Sequence, residues 1–576
     1  MNQKSTIFTL SITALGILMM VFFLFFNYAR RNADNNKSTE IINRLDLDFS
    51  GLPDTDIPLI NDSASRLPFA SSALDALRKL LAALAADSSA LRNEVILRFT
   101  NEVDYNDFLK ILSDRNLRLL GSSDRFMSMR IGFENYGDLF GELANLDPSG
   151  YEIETNFLVS LPGQPGTGDS PGAGEGAIPF GRDALKFIGI GEGNLEFGKG
   201  IKVAVIDSGI QEHETFSGKN ILEYDLVRDV NGNLVPIDSD NGHGTAVASI
   251  IGGSDSRYSG VAPGAEILSY RVLDNDGYSD SYTLAEAIIQ ATDSGADIIN
   301  ISLGSKGDSG IVRRAVDYAN DAGVLIVAAT GNEGVNAISF PAAIEGVVAV
   351  TANDALGQHV DFANSGNNLQ DGGMTAPGYA VWAAWPEGEA VSFSGTSASA
   401  PFVSGAVAAV MSENQGMSAF SAYELLQKYS NEAGAPGNDI VYGAGNLNLG
   451  RVLERNVPNI TDAGLASYYY DPVSAELSGQ PNTAQVVVEN RGTTALHNLT
   501  VKVDSGSTER TYNVSFIPVG EIAVIETPSG FSSDVTEEGL AVSATVIVNE
   551  NLNGEDRDVS DNSLSKTIEL NSSKQP

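Results

Sequence analysis

Five nearly continuous apolar runs, rich in Val and Ile, lie between residues 201 and 351. Such runs are typical of parallel β-strands that are covered on both faces, because neither face of the strand meets water. Between the later runs, apolar residues recur at helical spacing, at residues 282–292 and 310–319. This alternation predicts a doubly wound α/β domain with a mostly parallel sheet. The runs are KVAVID, AEILSYRVL, DIINISL, GVLIVAAT and GVVAVT.

Three polar residues stand where such a domain would carry a functional site. In open parallel sheets, sites form beyond the carboxyl ends of the strands, and Asp207 ends the first apolar run. His243 precedes a predicted helix in NGHGTAVASII, and Ser397 begins another in SGTSASAPFVSG. A hydroxyl group at a helix N-terminus lies beside unpaired NH groups that stabilise a developing negative charge, although Ser and Thr are also common there as caps.

Together these residues form a chemically complete set. A serine hydroxyl is a poor nucleophile unless a base takes its proton, and a histidine base needs an acceptor for its other ring nitrogen. Asp207, His243 and Ser397 would supply the acceptor, the base and the nucleophile, in that chain order. Each residue alone is equally well explained as a loop residue, a structural histidine or a helix cap. Their combination predicts nucleophilic catalysis.

The short motifs around these residues resemble those of a known family. DSG at Asp207, HGTAVA at His243 and GTSASAP at Ser397 closely resemble the three signatures of the subtilisin-like serine proteases. The resemblance covers about residues 183–454 and implies a serine endopeptidase. It assigns Ser397 as the nucleophile, His243 as the general base and then the general acid, and Asp207 as the carboxylate that orients the histidine.

The same resemblance implies further site residues. ATGNEG, residues 329–334, resembles the oxyanion-hole segment of the family and implies that the Asn332 side chain donates a hydrogen bond to the oxyanion. Alternatively, Asn332 is only a turn residue in a Gly-Asn loop. ISLGSKG matches the segment that pairs with substrate as an added strand, so Ser302, Leu303 and Gly304 are expected along the substrate, with Gly331 in the pocket for the residue before the cut.

The sequence leaves open two alternatives to a subtilisin-like endopeptidase. The GTSAS motif also resembles that of the sedolisins, which are acid-acting relatives with a Glu base and an Asp at the oxyanion position. His243 and Asn332 favour the subtilisin type instead. The second alternative is a catalytically silent surface binding protein on the same scaffold. A histidine base must be unprotonated to act, so the subtilisin type predicts a neutral to alkaline optimum.

Composition excludes several classes of function. The formal net charge of −39, from 74 acidic and 35 basic side chains, argues against a nucleic-acid partner. The chain has no cysteine, which excludes disulfides, thiol nucleophiles and cysteine-ligated zinc. We expect no cofactor for the chemistry and assign no metal site. Structural Ca²⁺ is left open, because acidic loops such as LDNDGYSD either bind it or form solvated turns.

The chain is long enough for several domains, and its composition changes along its length. An uncharged apolar run at residues 7–26 predicts a single membrane anchor. The order of elements at 91–162 predicts a small ferredoxin-like α+β domain, and short alternating strands after residue 457 predict an Ig-like β-sandwich. The predicted divisions are the anchor (1–30), a tether with an amphipathic helix (31–90), the α+β domain (91–162), a flexible Gly-rich linker (163–182), the α/β domain (183–456) and the sandwich (457–576).

Two of these domains carry resemblances of their own. Residues 91–162 resemble the inhibitory propeptides of subtilisin-like proteases, and the sandwich resembles CARDB-type modules. The first resemblance implies a zymogen whose propeptide tail occupies the cleft until the linker is cut. The expected partners are polypeptide substrates, the protein's own propeptide and a membrane. We expect the catalytic part outside the cytoplasm, with release after the cut, although the basic residues flanking the anchor weakly indicate the opposite orientation.

Overall fold

The computed structural model describes residues 87–568 with internal gaps, and the chain divides between Leu158 and Val159 into two compact units. The predicted anchor and tether helix therefore lie outside the described residues. Within the part of the chain that is described, no helix is long and apolar enough to cross a membrane. The gaps are residues 113–116, 135–138, 140–141, 144–145, 147–148, 168–169, 192–193, 230–232, 238–240, 256, 258, 471–482, 506–507 and 530–539.

The first unit contains an antiparallel sheet in the order β2-β3-β1-β4. Helix α1 packs its apolar side on this sheet, where the rings of Phe99 and Phe108 lie 5.5 Å apart. Strand β2 was not predicted, because its sequence LRLLGSS has no clear alternation and most of it is at least partly exposed. The elements are β1 (Ala90–Phe99), α1 (Glu102–Leu112), β2 (Leu117–Ser123), β3 (Ser128–Phe133) and β4 (Tyr151–Ser160).

The second unit is built on a parallel sheet of seven strands in the order β12-β11-β10-β9-β5-β7-β6. The five apolar runs all lie in this sheet, so the predicted α/β fold with a parallel sheet is confirmed. The edge strands β6 and β12 were not predicted, because each has only four residues and β6, LEYD, is partly exposed. The strands are β5 (Lys202–Asp207), β6 (Leu222–Asp225), β7 (Glu266–Arg271), β8 (Tyr278–Asp280), β9 (Ile298–Ile301), β10 (Leu325–Ala329), β11 (Val347–Asn353) and β12 (Met374–Pro377), of which β8 lies outside the parallel sheet.

Helices cover this sheet, and the longest of them is buried. Every residue of α7 from 396 to 411 is buried, packed against the sheet and against α3. Small residues allow this close approach: a Cβ on Gly405 would lie 2.7 Å from Val261 Cβ. The remaining elements are α2 (Ala184–Phe187), α3 (His243–Gly252), α4 (Ser281–Asp293), α5 (Gly310–Asp321), α6 (Asn367–Gln370), the hairpin β13 (Val381–Trp385) and β14 (Glu389–Phe393), α7 (Thr396–Glu413), α8 (Ala419–Lys428), α9 (Leu449–Glu454), and the 3₁₀ turns Glu214–Phe216 and Pro386–Gly388.

The C-terminal part of the second unit consists of two antiparallel sheets, β15-β16-β19 and β18-β17-β20-β21. They share one apolar core, to which Val486 and Val488 contribute from the first sheet and Val501 and Val546 from the second. Alternation of buried and exposed residues along β17 gives that strand one core face and one solvent face. The elements are β15 (Ala463–Tyr469), β16 (Thr483–Asn490), β17 (Leu496–Ser505), β18 (Glu509–Ile517), β19 (Ile522–Pro528), β20 (Leu540–Ile547), α10 (Glu550–Asn553) and β21 (Ser563–Ile568).

The Gly-rich stretch expected to be a flexible linker is instead hydrogen-bonded along the parallel-sheet domain. Ile178 N donates to Asp354 Oδ2 at 2.8 Å, and Ala355 N donates to Ile178 O at 2.9 Å. Phe180 N donates to Tyr379 O at 3.0 Å, and the Phe180 side chain is buried in the core. Composition indicated freedom in this segment, but its backbone groups and one aromatic side chain find partners in the fold.

Candidate active site

Asp207 and His243 meet at the carboxyl edge of the parallel sheet. Asp207 is the last residue of β5 and His243 is the first residue of α3. The His243 Nδ1 atom lies 2.8 Å from Asp207 Oδ1 and 3.0 Å from Oδ2, and both side chains are buried. A carboxylate only accepts hydrogen bonds, so Nδ1 carries the proton and Nε2 is left as the acceptor, which is the tautomer that a base requires.

The backbone around this pair leaves no room for a larger residue. A Cβ on Gly244 would lie 2.3 Å from the carbonyl oxygen of Gly209 and 3.2 Å from Asp207 Oδ1. Gly244 N donates to Ser208 Oγ at 3.0 Å, which ties the start of α3 to the end of β5. On the other side, the His243 ring meets the Phe393 ring edge-on, with centroids 5.1 Å apart. The imidazole is therefore held by packing as well as by its carboxylate.

Ser397 lies in the first turn of α7 and is buried. Its Oγ donates to the carbonyl oxygen of Ser302 at 3.2 Å, and Ser302 Oγ donates to the carbonyl oxygen of Ser397 at 3.1 Å. Among the described residues, the structure records no hydrogen bond between Ser397 Oγ and His243. The hydroxyl group thus donates its proton to the carbonyl group of the residue that follows β9.

Asn332 is fixed beside the start of α7. Its Oδ1 accepts from Thr396 N at 2.9 Å and from Thr396 Oγ1 at 3.0 Å, and its side chain is buried. These two donors bind Oδ1 and so fix the orientation of the carboxamide, which leaves Nδ2 as its donor. Residue 395 must be glycine, because its φ is +135° and a Cβ there would lie 2.8 Å from Asn332 Nδ2.

The donor of Asn332 is occupied by the protein's own chain. Asn332 Nδ2 donates to the carbonyl oxygen of Gly163 at 2.9 Å. Just upstream, Ser160 and Gly304 exchange two backbone hydrogen bonds of 2.9 Å, and Leu161 N donates to the Gly277 carbonyl oxygen at 3.3 Å. The backbone from Ser160 to Gly163 is therefore hydrogen-bonded in turn to Gly304, Gly277 and Asn332.

The expected substrate-binding residues have different roles in this geometry. Gly304 pairs with Ser160, Ser302 contacts Ser397, and Leu303 is fully buried. Gly331 has a φ of +106°, and a Cβ there would lie 2.7 Å from Ser339 Oγ. Ser339 Cβ would also lie 3.1 Å from a Cβ on Gly304, so the Ser339 side chain lies against both glycines.

Sequence reasoning missed Ser339, Gly277 and Val159. Val159 is fully buried at a small pocket whose lining includes Leu284, Ser305, Val312 and Phe340. Gly277 belongs to the loop LDNDGYSD, which was considered for calcium and whose glycine was the available signal of a close backbone approach. In the structure, Asp274 Oδ1 accepts from Asp276 N and Tyr278 N, as in a turn. The described residues include no group of three or more His, Asp and Glu side chains arranged to hold a metal ion.

The other histidines occupy different environments. His213 caps a 3₁₀ turn by accepting from Thr215 N at its Nδ1, and burial lowers the pKa of its imidazole. His359 packs against the Tyr442 ring, and burial lowers its pKa to about 4 even though Asp361 acts in the opposite direction. His497 lies on the sandwich beside Phe516. These contacts identify His243, bonded to a buried carboxylate, as the base candidate.

Comparison with known proteins adds independent findings. A model of the subtilase family matches residues 198–445, which include Asp207, His243, Asn332 and Ser397. Alkaline protease from Alkalihalobacillus alcalophilus is 30% identical over 362 residues, which are 62% of this chain and 87% of that protein. Subtilisin BL from Lederbergia lenta is 34% identical over 253 residues, covering 44% of this chain and 90% of its own. The solved protease domain of PatA has 30% identity and a TM-score of 0.42, covering 45% of this chain and 96% of its own.

Proposed function

Because this chain belongs to the subtilase family and is a serine endopeptidase, we propose that it cleaves peptide bonds through an acyl-enzyme on Ser397. The observation that carries this proposal is the buried Asp207–His243 pair, whose hydrogen bonds of 2.8 and 3.0 Å leave His243 Nε2 as the acceptor. Rotation of the Ser397 side chain away from the Ser302 carbonyl would direct Oγ to that nitrogen. His243 would take the proton as Oγ attacks, and would give it to the leaving amine.

The oxyanion would form between two donors. Asn332 Nδ2 is already held in a donating orientation by Thr396. The second donor is the NH of Ser397, which lies in the first turn of α7, where NH groups have no intrahelical acceptor. Each such donor is worth about 3 to 4 kcal/mol of transition-state stabilisation in a dry site.

We propose further that the chain is made as a zymogen. This proposal is supported by the pairing of Ser160 with Gly304, a residue of the segment expected to bind substrate, and by the hydrogen bond from Asn332 Nδ2 to the Gly163 carbonyl oxygen. A chain held in this way competes with any external peptide, so activity requires a cut that frees the cleft. The propeptide-like α+β domain upstream would be the part that is removed.

Location and the role of the sandwich are proposed on sequence alone. The apolar run at residues 7–26 would anchor the precursor in a membrane with the protease outside the cytoplasm, and a cut within residues 161–181 would separate the protease from the anchor. The C-terminal sandwich, with its CARDB-like pattern, would contact substrate or a surface, or would serve only to stabilise the protein.

The test compares the full chain with its Ser397→Ala variant by gel and intact mass. If only the wild type loses an N-terminal fragment that ends within residues 161–181, the nucleophile and the zymogen proposal are supported together. If both chains stay intact and neither cleaves a broad peptide panel at any pH, the proposal fails. Activity on a peptide substrate that peaks below about pH 5 would favour the sedolisin-like alternative, because a histidine base is protonated there.

A further inference from the structure

The chain is held independently on both sides of Gly163. Upstream, the Val159 side chain is fully buried, Ser160 is paired with Gly304, and Leu161 is bonded to Gly277. None of these contacts depends on anything after Gly163. The upstream end would therefore stay in place if the chain were cut after that residue.

The downstream end is also fixed close to the site. Thr167 donates to the Gln164 carbonyl oxygen through both N, at 3.1 Å, and Oγ1, at 2.7 Å, and Gly166 N donates to Pro171 O at 2.9 Å. These hydrogen bonds join residues within the segment itself. Ser170 Oγ then donates to the carbonyl oxygen of Asn332, the same residue whose side chain binds Gly163.

Further contacts attach the chain after Ser170 to the parallel-sheet domain. Pro171 packs against Gly334, where a Cβ would lie 2.7 Å from Pro171 Cγ. Asp361 N donates to Ala173 O at 3.2 Å, and Ile178 exchanges hydrogen bonds with Asp354 and Ala355. We call residues 164–167 and 170–178 the downstream clamp. Its contacts with the parallel-sheet domain, of which the first is with Asn332, hold this part of the chain in place.

We propose that Gly163–Gln164 is the bond that the enzyme cuts in its own chain, and that the downstream clamp then holds the new amino terminus beside the acyl-enzyme. This inference rests on the proposed function. Ser397 Oγ would form an ester with the Gly163 carbonyl carbon as the bond to Gln164 N breaks, and His243 would pass the serine proton to that nitrogen. Water would then hydrolyse the ester to the Gly163 carboxylate and restore the Ser397 hydroxyl.

The clamp makes this cut slow and reversible. An ordinary leaving amine diffuses away, whereas the Gln164 amine stays tethered through Ser170 and the contacts beyond it. A tethered amine has a high effective concentration at the ester, so it attacks the ester and restores the peptide bond in competition with water. The precursor would therefore mature only as fast as the clamp opens.

The test uses the full chain and three variants: Ser170→Ala, which loses the hydrogen bond to Asn332, Glu175→Ala as an exposed control in the same segment, and Ser397→Ala as the uncut reference. Each chain is diluted from urea, and loss of intact chain is followed by gel and mass spectrometry. We expect Ser170→Ala to be cut about 2- to 10-fold faster than wild type, the effect of losing one hydrogen bond. Glu175→Ala should match wild type. An unchanged or slower rate of self-cleavage in Ser170→Ala would contradict the proposal that the clamp slows the cut.

Two further readouts separate this inference from the proposed function. The released N-terminal fragment should end at Gly163, and a different end overturns the assignment of the bond. The purified cut complex of wild type should regenerate some intact chain on standing, and Ser170→Ala should regenerate less. If wild type cuts itself elsewhere within residues 161–181, only this inference fails. If wild type neither cuts itself nor cleaves added peptides, the proposed function fails with it.

Discussion

Asn332 donates its side-chain hydrogen bond to the carbonyl oxygen of Gly163, 2.9 Å away, within the same chain. The amide proposed to stabilise the oxyanion is thus occupied before any external substrate arrives. One side chain therefore connects the proposed chemistry to the proposed control of that chemistry.

Removing this donor should slow turnover without weakening substrate binding. We expect Asn332→Ala to lower kcat on a peptide substrate by about 100- to 1000-fold with KM little changed, which is the loss known for removing one oxyanion donor from a subtilisin. Self-cleavage should slow by a similar factor. Asn368→Ala, which removes a carboxamide bonded to Ala343, is the matched control. Unaltered turnover in Asn332→Ala would remove this residue from the oxyanion hole.

Asp207 should act by setting the tautomer of His243. In Asp207→Asn the new amide group can donate to Nδ1, which places the imidazole proton on Nε2 and removes the acceptor for Ser397. We expect kcat to fall by about 10⁴-fold, with an unchanged circular dichroism spectrum. Asp308→Asn, which alters an exposed ion pair with Arg313, should keep full activity. A loss of less than tenfold in Asp207→Asn would contradict the role assigned to the pair.

A buried ion cluster joins the parallel-sheet domain to the sandwich. Glu489 on β16 accepts from Arg451 on α9 and from Arg491, and all three side chains are largely buried. Burial alone would raise the pKa of Glu489, but the two guanidinium groups lower it below its ordinary value. We expect Glu489→Gln to lower the free energy of unfolding by about 3 kcal/mol, measured by urea denaturation, because it leaves Arg451 buried without its carboxylate. Glu509→Gln, from an exposed pair with Lys502, should change it by less than about 0.5 kcal/mol.

Glu432, beside this cluster, should make stability depend on pH. Burial and the charge of Glu489 raise the pKa of Glu432 to about 8. Between about pH 4.5 and 8 the unfolded chain has lost this proton and the folded chain keeps it, so the contribution of Glu432 to stability falls as pH rises through that window. The slope for one group is at most about 1.4 kcal/mol per pH unit.

The variant Glu432→Gln tests this sign. Gln keeps an acceptor for Gly437 N but does not titrate, so the variant should lose less stability than wild type between pH 5 and pH 8. Thermal unfolding at several pH values measures the difference. Glu424→Gln, at an exposed site, should follow wild type at every pH. A variant curve parallel to that of wild type would show that Glu432 ionises normally in the folded chain.

Part of the fold was predictable because burial leaves a local pattern. KVAVID and the four other apolar runs are covered on both faces, so their composition alone identifies them as strands of a parallel sheet. Strand β6, LEYD, could not be found in this way, because an edge strand with partly exposed residues has no such pattern. It exists because β7 offers a free edge, which is a property of the assembled sheet.

For the candidate active site, too, some features follow from local sequence and others only from the assembled fold. The sequence by itself determined which side chains are available for the chemistry, since Asp207 ends a strand and His243 and Ser397 each begin a helix within short motifs. Only the tertiary structure decided that Ser339 lies against both Gly304 and Gly331, and that a Gly-rich stretch is bonded to Asn332 at both Gly163 and Ser170. Glycine-rich sequence indicates a backbone that is free to adopt many conformations. Whether it stays free depends on partners that are distant in sequence, here 162 and 169 residues away, which the local sequence does not reveal.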